Sequence, residues 1–161
     1  MTQNLTHRSL PFLTKVFQAV TIFGSLNLIW EVAQLPLYTL WSEGRWPDIL
    51  FAVVHCTAGD VLIGITASAI AYVVTRTNWT RDFVMSASFA FAFIALGLTY
   101  TIYSEWLNVS VRGNWVYSEL MPLLPPLGTG LSPALQWLIV PLLTIYIFGQ
   151  LHTRRPTTPP L

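Results

Sequence analysis

Glu31, His55, Asp60 and Glu105 stand inside, or at the rim of, segments otherwise apolar enough to cross a bilayer. Ionisable groups at that depth are costly and are kept where they pair, move protons or hold a ligand. Carboxyl groups brought together with an imidazole can do acid–base work, one keeping its proton while a neighbour stays ionised. On this reading Glu31 and Asp60 are proton donor and acceptor, His55 tunes them, and Glu105 stands at the mouth of the site.

Spacing tells which of these face inward. Asn27, Glu31, Gln34 and Tyr38 follow at helical intervals and share one face. Interhelical hydrogen bonding, at about 0.6 kcal/mol per bond, accounts for Asn27, Gln34 and Tyr38. It does not account for Glu31, because a carboxyl in hydrocarbon must be protonated or paired, and holding helices together requires neither. Pro36, about a turn further on, is expected to kink the helix. Asp60 shares a face with Gly64, Ala67, Ser68 and Ala71, small residues that let a neighbouring helix approach, so it is expected to point into the bundle. His55 lies about 140° round the helix from Asp60, so the two can flank a pocket but not occupy one narrow face. The alternative for His55 is a hydrogen-bonded core residue, and for Glu105 an acid in interfacial water. Thr101, Glu105 and Asn108 repeat the helical spacing, and Gln136 enters one turn after Pro133, beside Trp137. Gln34, Tyr38, Asn108, Trp115, Tyr117 and Gln136 are the expected binding residues.

Composition sets the class of protein that must position them. The chain of 161 residues is 53% hydrophobic and 9% charged, with a mean hydropathy of +0.56, against about 25% charged in soluble domains. Hydropathy places four spanning helices at roughly 17–41, 48–74, 83–104 and 133–148, an all-α polytopic membrane protein of one domain, 1–153, with a disordered tail at 154–161. The first segment is longer than the apolar part of a secretory signal and lacks a small-residue cleavage site. Arg8, Lys15, Arg76, Arg81, Arg154 and Arg155 fall on one side of these helices, and Arg45 and Arg112 on the other. That asymmetry places both termini in the cytoplasm. Trp41, Trp46, Trp106, Trp115 and Trp137 are expected near the outer boundary and Trp79 near the inner one. The outer connection from Glu105 to Ser132 is long, apolar and broken by Pro122, Pro125, Pro126, Gly128, Gly130 and Pro133, which suits either a lid over the bundle or a simple interfacial loop.

Several chemistries are excluded or disfavoured. A net charge of +1 with scattered Lys and Arg does not suit nucleic acid. Metal is not expected: His7 and His152 lie far from His55, and no Glu-x-x-His, His-x-x-x-His or Cys-x-x-Cys pair occurs. No cofactor is expected. Ser104, Ser110 and Ser118 have no histidine placed to make a nucleophilic triad, and the lone Cys56 reads as a small buried residue.

Trp30-Glu31 with Gln34 and Pro36, His55 with Gly59-Asp60, Glu105, Trp115, Tyr117, Met121-Pro122, Pro133 and Gln136-Trp137 together resemble a family of small four-helix bacterial membrane proteins with no established function. The similarity covers nearly the whole chain and implies the fold. The final third is also loosely similar to lycopene-cyclase-type membrane domains, with Gly113, Trp115, Tyr117 and Pro133 matching. Where those domains carry paired glutamates, this chain has Pro133, Ala134, Leu135 and Gln136. The resemblance therefore implies cyclase-like proton transfer only if Glu31, Asp60 or Glu105 substitutes.

Three functions fit this sequence. The first is an outer-facing polar pocket that binds or transforms a lipophilic, isoprenoid- or lipid-like compound by acid–base chemistry, its partners being the bilayer and that ligand. The second is a non-catalytic subunit or assembly factor of a membrane complex, or a homo-oligomer, in which the polar residues fix packing. The third is proton or cation movement, for which the cytoplasmic half of every helix is bare of ionisable groups.

Overall fold

The computed structural model describes residues 3–76 and 86–153. Arg81, Trp79 and the 154–161 tail lie outside the described residues, as do the side chains of His7 and Arg8. Helix α1 runs Gln3–Gln34, α2 is the four-residue Leu40–Glu43, α3 spans Trp46–Thr75, α4 spans Ala87–Glu105 and α5 spans Leu131–Thr153. Among the described residues, four stretches are long and apolar enough to cross a membrane: Leu13–Leu37, Trp46–Thr75, Ala87–Val111 and Leu131–His152. The chain is an all-α bundle of membrane-protein type.

The helix ends follow local chemistry. The first helix does not continue to Trp41: Pro36 lacks an N–H and disfavours helical geometry in the residue before it. The chain passes through a single 3-10 turn at Leu35–Leu37 into an extended Tyr38. Helix α3 starts after an extended Arg45, with Pro47 and Asp48 in its first turn, and Arg45 pairs with Asp48 at 2.9 Å in the open. Ser86 caps α4 by accepting the Phe89 N–H at 3.2 Å. Beyond Glu105 the helix widens to a π-helical turn at Trp106–Val111.

The four long helices form a closed ring in which α1 touches α3 and α5, and α4 touches α3 and α5. They alternate in direction, so the connections 35–45 and 112–130 share one end, here termed the lid end. The lid carries a short antiparallel pair, β1 (Leu123–Leu124) and β2 (Thr129–Gly130). It is stitched to the turn after α1: Thr39 N–H donates to Val116 O at 3.0 Å, Ser118 N–H to Leu37 O at 2.9 Å, and Ser118 Oγ to Pro36 O at 3.0 Å. The stretch 112–130 is thus hydrogen-bonded to the turn after α1, which meets part of its backbone polar groups.

The core is a layer of rings across the middle of the bundle. Phe23, Phe93 and Trp137 meet pairwise with centroids 5.8 to 6.1 Å apart. Trp137, expected near the boundary, is instead 1% exposed. Its six-membered ring packs directly on Gly97 of α4, where any side chain would overlap it. On the side away from the lid, Phe23 and Phe93 also line an apolar cavity of about 170 Å³, walled by Val61, Gly64, Pro141 and Ile145 among others.

Candidate functional site

Immediately on the lid side of the ring layer, three helices contribute to one buried hydrogen-bond network. Asn27, Glu31 and Gln34 come from α1, Asp60 from α3 and Gln136 from α5. Gln136 is its hub. Its Nε2 donates toward Asp60 Oδ2 at 2.8 Å, Asn27 Oδ1 at 2.9 Å and Glu31 Oε1 at 3.0 Å. Gln34 Nε2 donates to the same Glu31 oxygen at 2.9 Å, and Ser132 Oγ closes the rim by donating to Gln34 Oε1 at 2.9 Å while accepting from Trp30 Nε1 at 3.2 Å. Asn27, Gln34 and Gln136 are 1%, 6% and 2% exposed, so water does not satisfy these groups from the surface.

The arrangement is electrostatically unusual. An amide nitrogen has two hydrogens, yet three oxygens crowd this one. Two of those oxygens are carboxyl oxygens of side chains that adjoin each other. Among the described residues no Lys, Arg or His is hydrogen-bonded or ion-paired to Glu31, Asp60 or Glu105. Two carboxyl groups so placed, without a cation, can be kept together by a proton between them.

A second cluster lies nearer the lid. Glu105, 8% exposed, ends α4 and accepts from the hydroxyls of Tyr38, at 3.3 Å, and Tyr117. The Tyr117 hydroxyl in turn accepts the Gly130 N–H at 2.9 Å. The indole of Trp115 faces Glu105 without reaching hydrogen-bond geometry. Burial, reinforced by the neighbouring Glu105, holds both phenols above the usual tyrosine range, so they remain donors. The extended backbone at Tyr38, bridged to Tyr117, brings the two rings to 5.4 Å. Glu105 is therefore a buried anchor for the lid rather than an acid in interfacial water. Replacing Tyr117 by phenylalanine removes both bonds, at about 1–3 kcal/mol of local stability. Hydrogen exchange at residues 112–130 should rise with the membrane helices unaffected; unchanged lid protection would show the latch is elsewhere.

No family model matches the chain, and no curated protein or solved structure matches it. The site has to be read from its own geometry.

Of the residues singled out in the sequence, Glu31, Asp60, Gln34 and Gln136 meet in the first cluster, and Glu105, Tyr38, Tyr117 and Trp115 in the second. His55 joins neither: it is exposed on the outer face of α3, stacked on Phe51 at 5.4 Å. Asn108 is also elsewhere. A π turn advances each residue less round the axis than an α turn, so Asn108 leaves the Glu105 face and bonds Ser104 O and Asn114 instead. Four members, Asn27, Trp30, Ser132 and the Gly130 N–H, were not among the expected site residues. Asn27 had its signal in the helical stripe, whereas Ser132 and the Gly130 N–H depend on how the lid docks.

Proposed function

We propose that this chain is an intramembrane acid–base site for a lipophilic compound, with Glu31 and Asp60 as a proton-sharing pair and Gln136 as the group that holds them in place. The observation that carries this reading is the meeting of both carboxyls on one amide, with no cationic partner among the described residues. Structural glue needs hydrogen bonds but does not need two acids, whose burial costs several kcal/mol each if charged. A pair sharing one proton can donate from one member and accept at the other. The apolar cavity beyond the ring layer, walled by Gly64 one helical turn from Asp60 and by Phe23 two turns from Glu31, gives a hydrocarbon body a place beside that layer, and the apolar lining favours a greasy ligand over a hydrated one. In this reading Glu105 and the lid close the site toward the outer side, both termini are cytoplasmic, and the surrounding bilayer is the inner membrane of a bacterium. Cation conduction is less well supported, since the Phe23, Phe93 and Trp137 layer interrupts the polar path.

The test is the lipid content of cells expressing the wild type or the Glu31→Gln, Asp60→Asn double variant at equal protein levels. Mass spectrometry of organic extracts is expected to show at least one lipophilic species changed by about tenfold or more. Identical extracts would remove the acid–base reading and favour a packing role within a larger complex.

A further inference from the structure

Between the two acid clusters stands a step of polar groups that neither cluster uses. Cys56 and Thr57 lie on α3 one helical turn, about 5 Å, nearer the lid than Asp60. At four and three residues from Asp60 they share its side of the helix. Helix α3 begins at the lid end with Trp46, so this turn lies between Asp60 and the lid that Glu105 anchors.

The Thr57 hydroxyl is the informative group. Five other helical threonines, Thr21, Thr66, Thr75, Thr99 and Thr144, donate back to the carbonyl four residues earlier at 2.7 to 2.9 Å, the usual way to satisfy a hydroxyl in an apolar helix. Thr57 does not. Its Oγ1 is buried and has no protein partner. A buried hydroxyl without a partner is expensive and marks a place for water. Thr129 Oγ1, in a residue 2% exposed and adjacent to the Gly130–Tyr117 bond, is likewise unpaired, so unspent hydroxyls occur at both levels of the polar column.

We infer that Thr57, with water, relays protons between Glu105 at the lid end and the Glu31–Asp60 pair, so that the pair is charged and discharged from that side alone. The inference rests on the acid–base reading above and adds its proton route. In one transfer a water between Thr57 and Asp60 gives a hydrogen to the Asp60 carboxylate and takes the Thr57 hydroxyl hydrogen, while the Thr57 oxygen takes a hydrogen from a second water on its lid side. That water takes one from the Glu105 carboxyl, and Glu105 regains a proton from solvent at the lid. One O–H bond forms for each that breaks, and the net change is one proton moved inward. On the other side of the pair the route ends, because Phe23, Phe93 and Trp137 fill the bundle with rings.

The experiment uses the full chain in lipid nanodiscs, with infrared detection of the exchangeable carboxylic C=O band after a switch to D2O. Thr57→Val, nearly isosteric, is expected to slow the shift of that band by about tenfold or more, and Thr57→Ser to restore it. Glu105→Gln is expected to slow it as well. Thr57→Ala serves in place of the valine variant if the latter fails to fold. Wild-type exchange in Thr57→Val or Thr57→Ala, or equal slowing in Thr57→Ser, would overturn the relay. Normal exchange in the valine variant alongside an altered lipid profile in the Glu31, Asp60 variant would strike the relay alone. Slowed exchange alongside an unaltered profile would strike the acid–base reading alone.

Discussion

Replacing Gln136 by methionine is expected to cost about 2–4 kcal/mol of folding stability, more than any single hydrogen bond would suggest. The side chain is close in size, so no large cavity forms. What disappears is the common donor for Asn27, Glu31 and Asp60, 2.8 to 3.0 Å from each. Two carboxyl groups are then left in a buried layer without the amide that satisfied them, and a lost partner costs the desolvation of every group it served. Bonds between membrane helices average only about 0.6 kcal/mol, so the large figure depends on three acceptors losing one donor together. Unfolding in a lipid or mixed-micelle system measures it. The companion variant, in which Gln136, Glu31 and Asp60 are all replaced by apolar residues, should return to within about 1 kcal/mol of the wild type. A Gln136→Met protein as stable as the wild type would show that the hub does not bind the helices. A triple variant that recovered both stability and lipid profile would show that the acids serve packing alone.

The second large effect is steric. Gly97→Ala is expected to destabilise the bundle by about 3 kcal/mol, the upper end for an overpacked core. An added methyl would overlap the six-membered ring of Trp137, which is 1% exposed and cannot retreat, being packed against both Phe23 and Phe93. Helix α4 must then move away from α5, and the ring layer separating the polar network from the cavity opens. The same substitution at Gly59, where a methyl would meet nothing, is the control and should change stability little. A drop in thermal unfolding temperature for Gly97→Ala but not Gly59→Ala is the expected result; equal behaviour of the two would show that the close approach of α4 and α5 does not bear on stability.

These two residues show what a single sequence conveys and what it does not. The helical class was legible from hydropathy, because a run of apolar residues long enough to span a bilayer has few other uses. The inward stripe on α1 was legible from spacing, and Asn27, Glu31 and Gln34 do share a network. Tyr38 reached its partner by another route, since Pro36 ended the helix and an extended residue carried the phenol to Glu105. Gln136 looked like one amide among several. Its central place comes from α5 facing both α1 and, across the ring, Asp60 of α3, a relation between helices that no local pattern encodes. Trp137 was read as an interfacial anchor because tryptophan favours that zone; Gly97 on a different helix is what admits it to the core. His55 pointed the other way for a similar reason. Five residues of separation from Asp60 allowed either side of a pocket, and the packing of α3 turned it outward.

A proton held between Glu31 and Asp60 is the centre of the proposed site. Infrared spectroscopy of the full chain in nanodiscs at neutral pH measures it directly, through the C=O stretch of a protonated carboxylic acid and its shift in D2O. A band that is altered in both Glu31→Gln and Asp60→Asn, because each acid is the other's neighbour, is the result the account predicts. A band indifferent to both substitutions, or no such band in the wild type, would contradict it.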